Sequence, residues 1–321
     1  MDEPDLAVVT AADPAMVDEV FALAGRVAAA TGVDPLSEDR RRGLRVAVDR
    51  RSNQGFWAVL ARGGAHGDLV GYVQVDDVGH RSGSAVEVVV LPAADSPEGG
   101  PGLADRLLDS AVDAYRASGG GKLRLWVGHA TGQDDRRAGR HGFVVERDLL
   151  QLRCTLPLPD PDDGSASRPI ATRPFLVGRD EPAWLVANNR AFAGHPEQGQ
   201  WDLATIGARE LEAWFDPDGF LVLEADGRLA GSCWTKVHAA ARPPMGEIYV
   251  IGVDPDFHGR GWGRALTRAG LDHLASLGLT TGMLYVDAAN TAAMGLYRSM
   301  GFTVHHVDRS YVADIGAPGG S

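Results

Sequence analysis

The chain is predicted to be an α/β protein made of two similar domains in tandem. Helix-type and strand-type segments alternate along its whole length instead of gathering into one class. The order helix, helix, strands, helix, strand, helix, strand then occurs twice. Matching residues recur at a near-constant separation: Gly71 answers to Gly231, and Gly142-Phe143 to Gly301-Phe302. That separation, roughly 160 residues, means duplicated domains and not a solenoid, whose repeats run about 20–50 residues.

In the first half, Asp13-Pro14 reads as an N-cap with Pro in the first turn, opening a helix to about Ala30. A turn follows at 31–35, then a basic helical stretch at 37–48. Residues 56–61, 69–75 and 85–90 read as strands, the first two separated by Gly63-Gly64 and Gly67. A Pro/Gly-rich segment at 92–102 leads into a helix over 103–118. Strands at 122–127 and about 151–156 complete the half. The segment PLPDPDDGSASRP at 157–169 has the composition of a linker. In the second half, helices are expected near 181–192 and 205–215. A hairpin over 220–225 and 229–237 turns at Asp226-Gly227. A strand at 247–253, a helix at 263–277 stopped by Gly278, a strand at 283–286 and a helix at 290–300 stopped by Gly301 follow. The expected division is 1–156, a linker at 157–169, 170–315, and a flexible tail at 316–321.

Composition narrows the function classes. The 321 residues are 44% apolar, ordinary for a globular protein, and carry a formal net charge of −12. That charge argues against general binding to nucleic acid or an anionic membrane, whose phosphates would repel it. Cys154 and Cys233 are far apart and lack metal-ligand spacing, which suits a reducing compartment, and no metal is expected. The acidic N-terminus has no signal-peptide core, and no apolar run approaches the roughly 18 residues of a membrane span. A cytoplasmic protein, acting as a monomer, is expected.

The stretch GEIYVIGVDPDFHGRGWG, 246–263, concentrates the chemistry. An apolar strand feeds a Gly-rich turn that opens a helix, an arrangement that presents backbone N–H groups to phosphate. Glu247 puts a carboxylate on the same strand, and Arg260 and Arg264 add local positive charge. With the downstream pattern Asn290…Tyr297…Gly301-Phe302, this stretch resembles the GCN5-related N-acetyltransferase (GNAT) family. The family signature Arg/Gln-x-x-Gly-x-Gly/Ala reads here His258-Gly259-Arg260-Gly261-Trp262-Gly263, with His258 departing from the usual first residue. Over about 188–311 the resemblance narrows to the mycothiol synthase family, carried by NNRAFAGHPEQG at 188–199, WFDPDG at 214–219 and WTKVH at 234–238. It is much weaker over the first half.

The resemblance implies two tandem GNAT domains, each a mixed, centrally splayed β-sheet flanked by helices. It also implies acetyl-CoA as co-substrate and a small thiol-sugar amine, Cys-GlcN-Ins, as acceptor. Glu247 falls at the family's base and Tyr297 at its acid. A cysteinyl amine has a reference pKa of about 7.7–8.0, so a modest base suffices. The plain alternatives are a strand-end carboxylate paired with Lys236, and a core tyrosine beside Leu296 and Met300. His258, Gly259, Arg260, Gly261, Trp262, Gly263 and Arg264 would receive the pyrophosphate. Ile251, Gly252 and Val253 would flank the pantetheine, with a β-bulge expected at Gly252. Asn290, Thr291, Ala292, Ala293, Met294 and Gly295 complete the acyl-CoA set. Glu197, Lys236 and Tyr285 match substrate positions; by composition alone, the first two read as solvated surface. Thr31 stands where the family has a substrate-reaching acid, and Asp34 is a shifted substitute or a simple turn residue.

In the first half the corresponding cradle reads ADSPEGGPG at 94–102 and has gained Asp95 and Glu98. Carboxylates beside a pyrophosphate repel it, and Ala138 stands where Tyr297 would. This half is expected to shape the cleft and do no chemistry. Two other readings compete: a tandem GNAT enzyme acting on an aminoglycoside or polyamine, and a non-catalytic acyl-CoA sensor. The block at 193–197 with Lys236 favours the thiol-sugar acceptor, and the presence of Glu247 and Tyr297 favours an enzyme.

Overall fold

The computed structural model of the chain describes residues 3–49, 56–64, 67–76, 84–95, 101–159, 170–194 and 198–316. Most of the expected linker, the tail beyond 316, part of the first-half cradle and Glu197 lie outside them.

The elements in order are β1 (Asp5–Val9), α1 (Pro14–Thr31), α2 (Glu38–Asp49), β2 (Phe56–Gly63), β3 (Asp68–Asp76), β4 (Ser84–Val90), α3 (Leu103–Ala117), β5 (Gly121–Val127), α4 (Gly132–Arg140) and β6 (Val144–Thr155). There follow β7 (Thr172–Pro174), α5 (Glu181–Ala191), α6 (Leu203–Glu210), β8 (Phe220–Ala225), β9 (Arg228–His238), β10 (Met245–Val253), α7 (Trp262–Ser276), β11 (Thr281–Asp287), α8 (Thr291–Ser299) and β12 (Thr303–Ile315). Local chemistry accounts for most boundaries. Asp13 accepts from Met16 N–H at 2.9 Å and Gly32 closes α1 at φ +75°. Asp226 and Gly227, at φ +53° and +76°, make the tight turn between β8 and β9. The sequence pattern gave no range for β1, β7 or β12, nor for α4, a short polar helix held by a capping box at Thr131 and Asp134. The second-half helix expected over 205–215 ends at Glu210, and the strand expected to begin near 151 begins at Val144.

The chain divides into two compact units, Met1–Leu149 with Val307–Ser321, and Leu150–His306. In the first the strand order is β1-β2-β3-β4-β5-β12, and β12 runs antiparallel to β5 from Arg309↔Val127 to Ile315↔Gly121. Cores lie on both faces of this sheet. One gathers Val20, Leu23, Leu44 and Tyr72 under α1 and α2, the other Leu107, Ala111, Leu123 and Tyr311 under α3 and α4.

The second unit repeats the plan with the order β6-β11-β10-β9-β8-β7. Leu266, Leu271, Leu274, Met294 and Phe302 fill the face under α7 and α8. The face under α5 and α6 is aromatic, with Trp184, Phe220 and Trp234 fully buried. Trp234 stacks on Phe220 with centroids 4.3 Å apart, and Trp184 Nε1 donates to Ser232 Oγ at 2.8 Å. The buried indole of Trp184 therefore keeps its hydrogen bond. Helix α7 approaches the sheet through Gly270, where a Cβ would stand 2.4 Å from Cys233 Sγ.

Candidate active site

Strand β10 carries both ends of the site, and its pairing explains how. On one side it runs antiparallel to β9, with Glu247 opposite Lys236. On the other it runs parallel to β11 only over Gly246–Ile248, opposite Gly282–Leu284. That ladder ends there although β10 continues to Val253. The mixed sheet thus splits beside Glu247 and leaves the edge of β10 from Val250 onward outside the β11 ladder.

The expected bulge at Gly252 is corrected by the register. Gly252 pairs regularly with Ser232, and the shift lies between Ile248 and Val250, with Tyr249 as the extra residue. The extra residue inverts the side-chain alternation. Gly246 and Ile248 face α7, whereas beyond Tyr249 it is Ile251 and Val253 that join that core. Gly252 faces α5, and its lack of a side chain has a packing reason: a Cβ would lie 3.2 Å from Ala191 Cβ and 3.3 Å from Phe192 Cε2.

Glu247 is 6% exposed and faces away from α7. Its partner is not the Lys236 anticipated from pairing but His238, whose Nε2 lies 2.7 Å from Glu247 Oε2. Lys236 is 4% exposed, so the surface reading of this residue is overturned. Its ammonium sits 4.6 Å from the Trp214 ring centre and 5.4 Å from that of Tyr249, where the ring faces attract a cation. Tyr285 on β11 is 38% exposed and accepts a 2.8 Å hydrogen bond from Gln151 Nε2. Gln151 is oriented in turn by Arg153 Nε, which donates to its Oε1 at 2.7 Å.

At the other end of β10 the chain passes through a 3₁₀ turn, Pro255–Phe257, into the Gly-rich loop. Gly259 and Gly261 hold φ at +77° and +76°, the left-handed region that glycine enters without strain. Gly261 is the N-cap of α7 and supplies no capping side chain, so the first N–H groups of the helix are not satisfied by their own N-cap residue. A cavity of about 360 Å³ opens there, lined by Val253, Phe257, Gly261, Trp262 and Leu296 among others. His258, in place of the usual Arg/Gln, turns back so that its Nε2 bonds Val253 O at 2.9 Å and ties the loop to β10. Arg260 lies over the rings of Phe257 and Trp262, at 5.0 and 5.1 Å. Arg264 donates to Ser299 Oγ at 2.5 Å.

Asn290 caps α8 by accepting from Ala293 N–H at 3.1 Å, which places Thr291 to Gly295 in that helix's first turns. Tyr297 is 7% exposed, within the core formed with Met300 and Phe302. Burial, with a smaller push from Cys233, raises its phenol to about 12, so it keeps its proton. Cys154 and Cys233 are buried too, and burial pushes both thiols up to about 12. Neither offers a thiolate nucleophile at neutral pH.

In the first unit, Thr31 Oγ1 donates to Val27 O at 2.9 Å, and Asp34 accepts two 2.8 Å bonds from Arg41. Local helix-end and turn roles account for both. The first-unit cradle differs from the second in three ways. Helix α3 begins nine residues beyond Ala94, whereas α7 begins five beyond Phe257. The β3–β4 ladder runs from Gly71↔Val90 to Asp76↔Ala85 without a bulge. And Asp95 accepts from Ala104 N–H at 2.9 Å and from Arg137 Nη2 at 2.6 Å. A carboxylate of the chain itself occupies the helix start that α7 leaves open.

Residues 185–302 match the family model for the acetyltransferase (GNAT) family. Proteins called mycothiol acetyltransferase match nearly the whole chain. That of Thermobispora bispora is 43% identical, over 93% of this chain and 96% of its own. That of Streptomyces griseus is 39% identical, over 94% and 93%. Among solved structures, a GCN5-related N-acetyltransferase from Sphaerobacter thermophilus has a TM-score of 0.70 at 23% identity, covering 98% of each chain. A tandem GNAT protein from the clavulanic acid biosynthesis pathway has a TM-score of 0.67 at 18% identity, over 98% and 99%. These two share the tandem fold.

Proposed function

The chain belongs to the mycothiol acetyltransferase family of tandem GNAT enzymes, and on that premise we propose that its second unit acetylates the cysteinyl amine of Cys-GlcN-Ins through the residues described above. The observation that carries the reading is the course of β10. This strand bears a buried carboxylate where the sheet splits, and ends in an uncapped helix start.

Acetyl-CoA supplies an acetyl group activated as a thioester. The residues present fit it. The start of α7 offers backbone N–H groups of Gly261 to Arg264 and the positive end of the helix to its pyrophosphate. The edge of β10 over Ile251–Val253, outside the β11 ladder, offers backbone groups to the extended pantetheine arm. Lys236 and Tyr285 bind oxygens of the acceptor, and Glu197 its cation or hydroxyls. Glu247 takes the proton from the acceptor's ammonium. The freed amine attacks the thioester carbon, so that the N–C bond forms as the C–S bond breaks. The departing sulfur takes its proton from the Tyr297 phenol, and the second proton lost by the nitrogen as the amide forms restores that phenol, so that CoA leaves as the thiol. We further infer that the chain binds one acetyl-CoA, in the second unit, because Asp95 fills the equivalent helix start of the first.

The test is an acetyl-transfer assay on Cys-GlcN-Ins against a panel of aminoglycosides and polyamines, with Glu247→Gln alongside. A strong preference for Cys-GlcN-Ins is expected. A kcat about 10²–10⁴-fold lower in the variant is the scale of general-base catalysis. Comparable rates across the panel would reject the acceptor, and an unimpaired variant would reject the base.

A further inference from the structure

We propose that His238 is a positioning residue that tethers the carboxylate of Glu247 through Oε2 and reserves Oε1 for the acceptor's proton. The proposal rests on the reading of Glu247 as the base and extends it to a residue that the sequence motifs left without a role.

His238 is the last residue of β9 and pairs with Met245 at the first residue of β10. Two residues from Lys236 on the same strand, it stands on the same face as Lys236 and Glu247. From there its Nε2 reaches Glu247 Oε2 at 2.7 Å. A carboxylate oxygen only accepts, so Nε2 carries the hydrogen in this pair. Among the described residues Oε1 has no hydrogen-bond partner. The other nearby cation does not compete for the carboxylate, because the ammonium of Lys236 lies over the rings of Trp214 and Tyr249.

The need for such a tether follows from the side chain. Glutamate turns about three bonds before its carboxylate is placed, and a reacting group misplaced by about 1 Å can lose ~10²-fold in rate. Glu247 grows from a strand next to the bulge and the sheet split, where two neighbouring strands do less to confine it. The imidazole N–H supplies the missing restraint. The imidazole offers its N–H from a rigid ring set by two side-chain torsions, so the oxygen it meets is held in one place. The His238 side chain is 28% exposed and that of Glu247 8%, so the tether enters from the solvent side and the base stays covered.

The experiment compares His238→Ala, His238→Gln, Glu247→Gln and the His238→Ala/Glu247→Gln double variant, in steady-state kinetics on Cys-GlcN-Ins. Thermal melts establish that each is folded. His238→Ala is expected to lower kcat about 10–100-fold with KM for acetyl-CoA unchanged. Glutamine, whose amide N–H reaches near the Nε2 position, or added imidazole should restore most of that loss. The double variant should be no slower than Glu247→Gln alone, since a tether without its base has nothing to hold. A wild-type kcat for His238→Ala beside an impaired Glu247→Gln overturns the tether and leaves the base standing. A loss that neither glutamine nor imidazole reverses also overturns it. A wild-type kcat for Glu247→Gln overturns the base, and the tether with it.

Discussion

Replacing Gly261 by alanine separates the two reasons a Gly-rich loop can need glycine, close approach and left-handed backbone. A Cβ at Gly261 would meet nothing within 4 Å, so bulk is not the obstacle. Its φ of +76° is, and holding a non-glycine residue there costs about 1–2 kcal/mol. If the loop keeps its course, the cost falls on folding. If the loop relaxes, the N–H groups at the start of α7 turn away and the cost falls on acetyl-CoA affinity, up to about 30-fold at ~1.4 kcal/mol per decade. Urea denaturation and calorimetric titration with acetyl-CoA measure the two shares, which together should come to about 1–2 kcal/mol. Gly263→Ala is the internal control. Gly263 lies inside the helix, and its Cβ would sit 3.7 Å from Leu296 Cδ2, an ordinary contact. It should bind acetyl-CoA normally and gain about 0.5–1 kcal/mol from helix propensity. A Gly261→Ala chain that matches wild type in both measurements, or a Gly263→Ala chain that loses as much as Gly261→Ala, would refute the need for left-handed backbone at Gly261.

Four further outcomes are expected. Gly270→Ala should destabilise the protein by about 1–3 kcal/mol in urea, because its methyl would stand 2.4 Å from Cys233 Sγ and 2.7 Å from Ile248 Cδ1; unchanged stability would show that α7 shifts freely. Titration of the wild-type chain with acetyl-CoA should show one site, and a stoichiometry of two would mean that Asp95 does not close the first cradle. Tyr297→Phe should lower kcat while melting as wild type does, since the core keeps its ring; equal rates would remove the hydroxyl from the mechanism. Asp105 is 6% exposed; burial alone would raise its carboxyl, but hydrogen bonds from Arg140 and His141 and the charge of Arg137 outweigh it and hold it below its ordinary 3.8. A depressed folded value means stabilisation present above pH 3.8 and lost as pH falls through the lower value. The stability gap between wild type and Asp105→Asn, about 2 kcal/mol, should therefore hold near pH 7 and shrink towards pH 3, and a gap that widens on acidification would contradict the assignment.

The parts of the site legible in the sequence are those whose physics is local. Gly259, Gly261 and the apolar strand before them announce the cradle because backbone conformation and helix onset are decided within a few residues. Asp226-Gly227 announced its turn for the same reason. What escaped depends on pairing across strands. The bulge at Tyr249 is a property of the β9–β10 register, and Gly252, the tempting position, is glycine because Phe192 packs on it. His238 and Glu247 meet across a hairpin; the alternation of Lys236 and His238 in WTKVH was the available signal, and it pointed to a shared face without saying what that face met. Asp95 was read as a repulsive charge, whereas the structure makes it the ligand of its own helix.

The membership of β12 in the first unit governs how the protein can be made. Strand β5, emerging early from the ribosome, must wait for residues 309–315, in the last strand of the described residues, before its outer edge is covered. The unit spanning Leu150–His306 is fully synthesised before its predecessor is complete. During that interval the nascent first unit exposes an unpaired strand edge, the kind of surface on which neighbouring chains aggregate. Cutting the gene at the apparent linker would make that interval permanent. An isolated amino-terminal half should therefore be recovered as aggregate unless a peptide spanning 307–316 is supplied in trans.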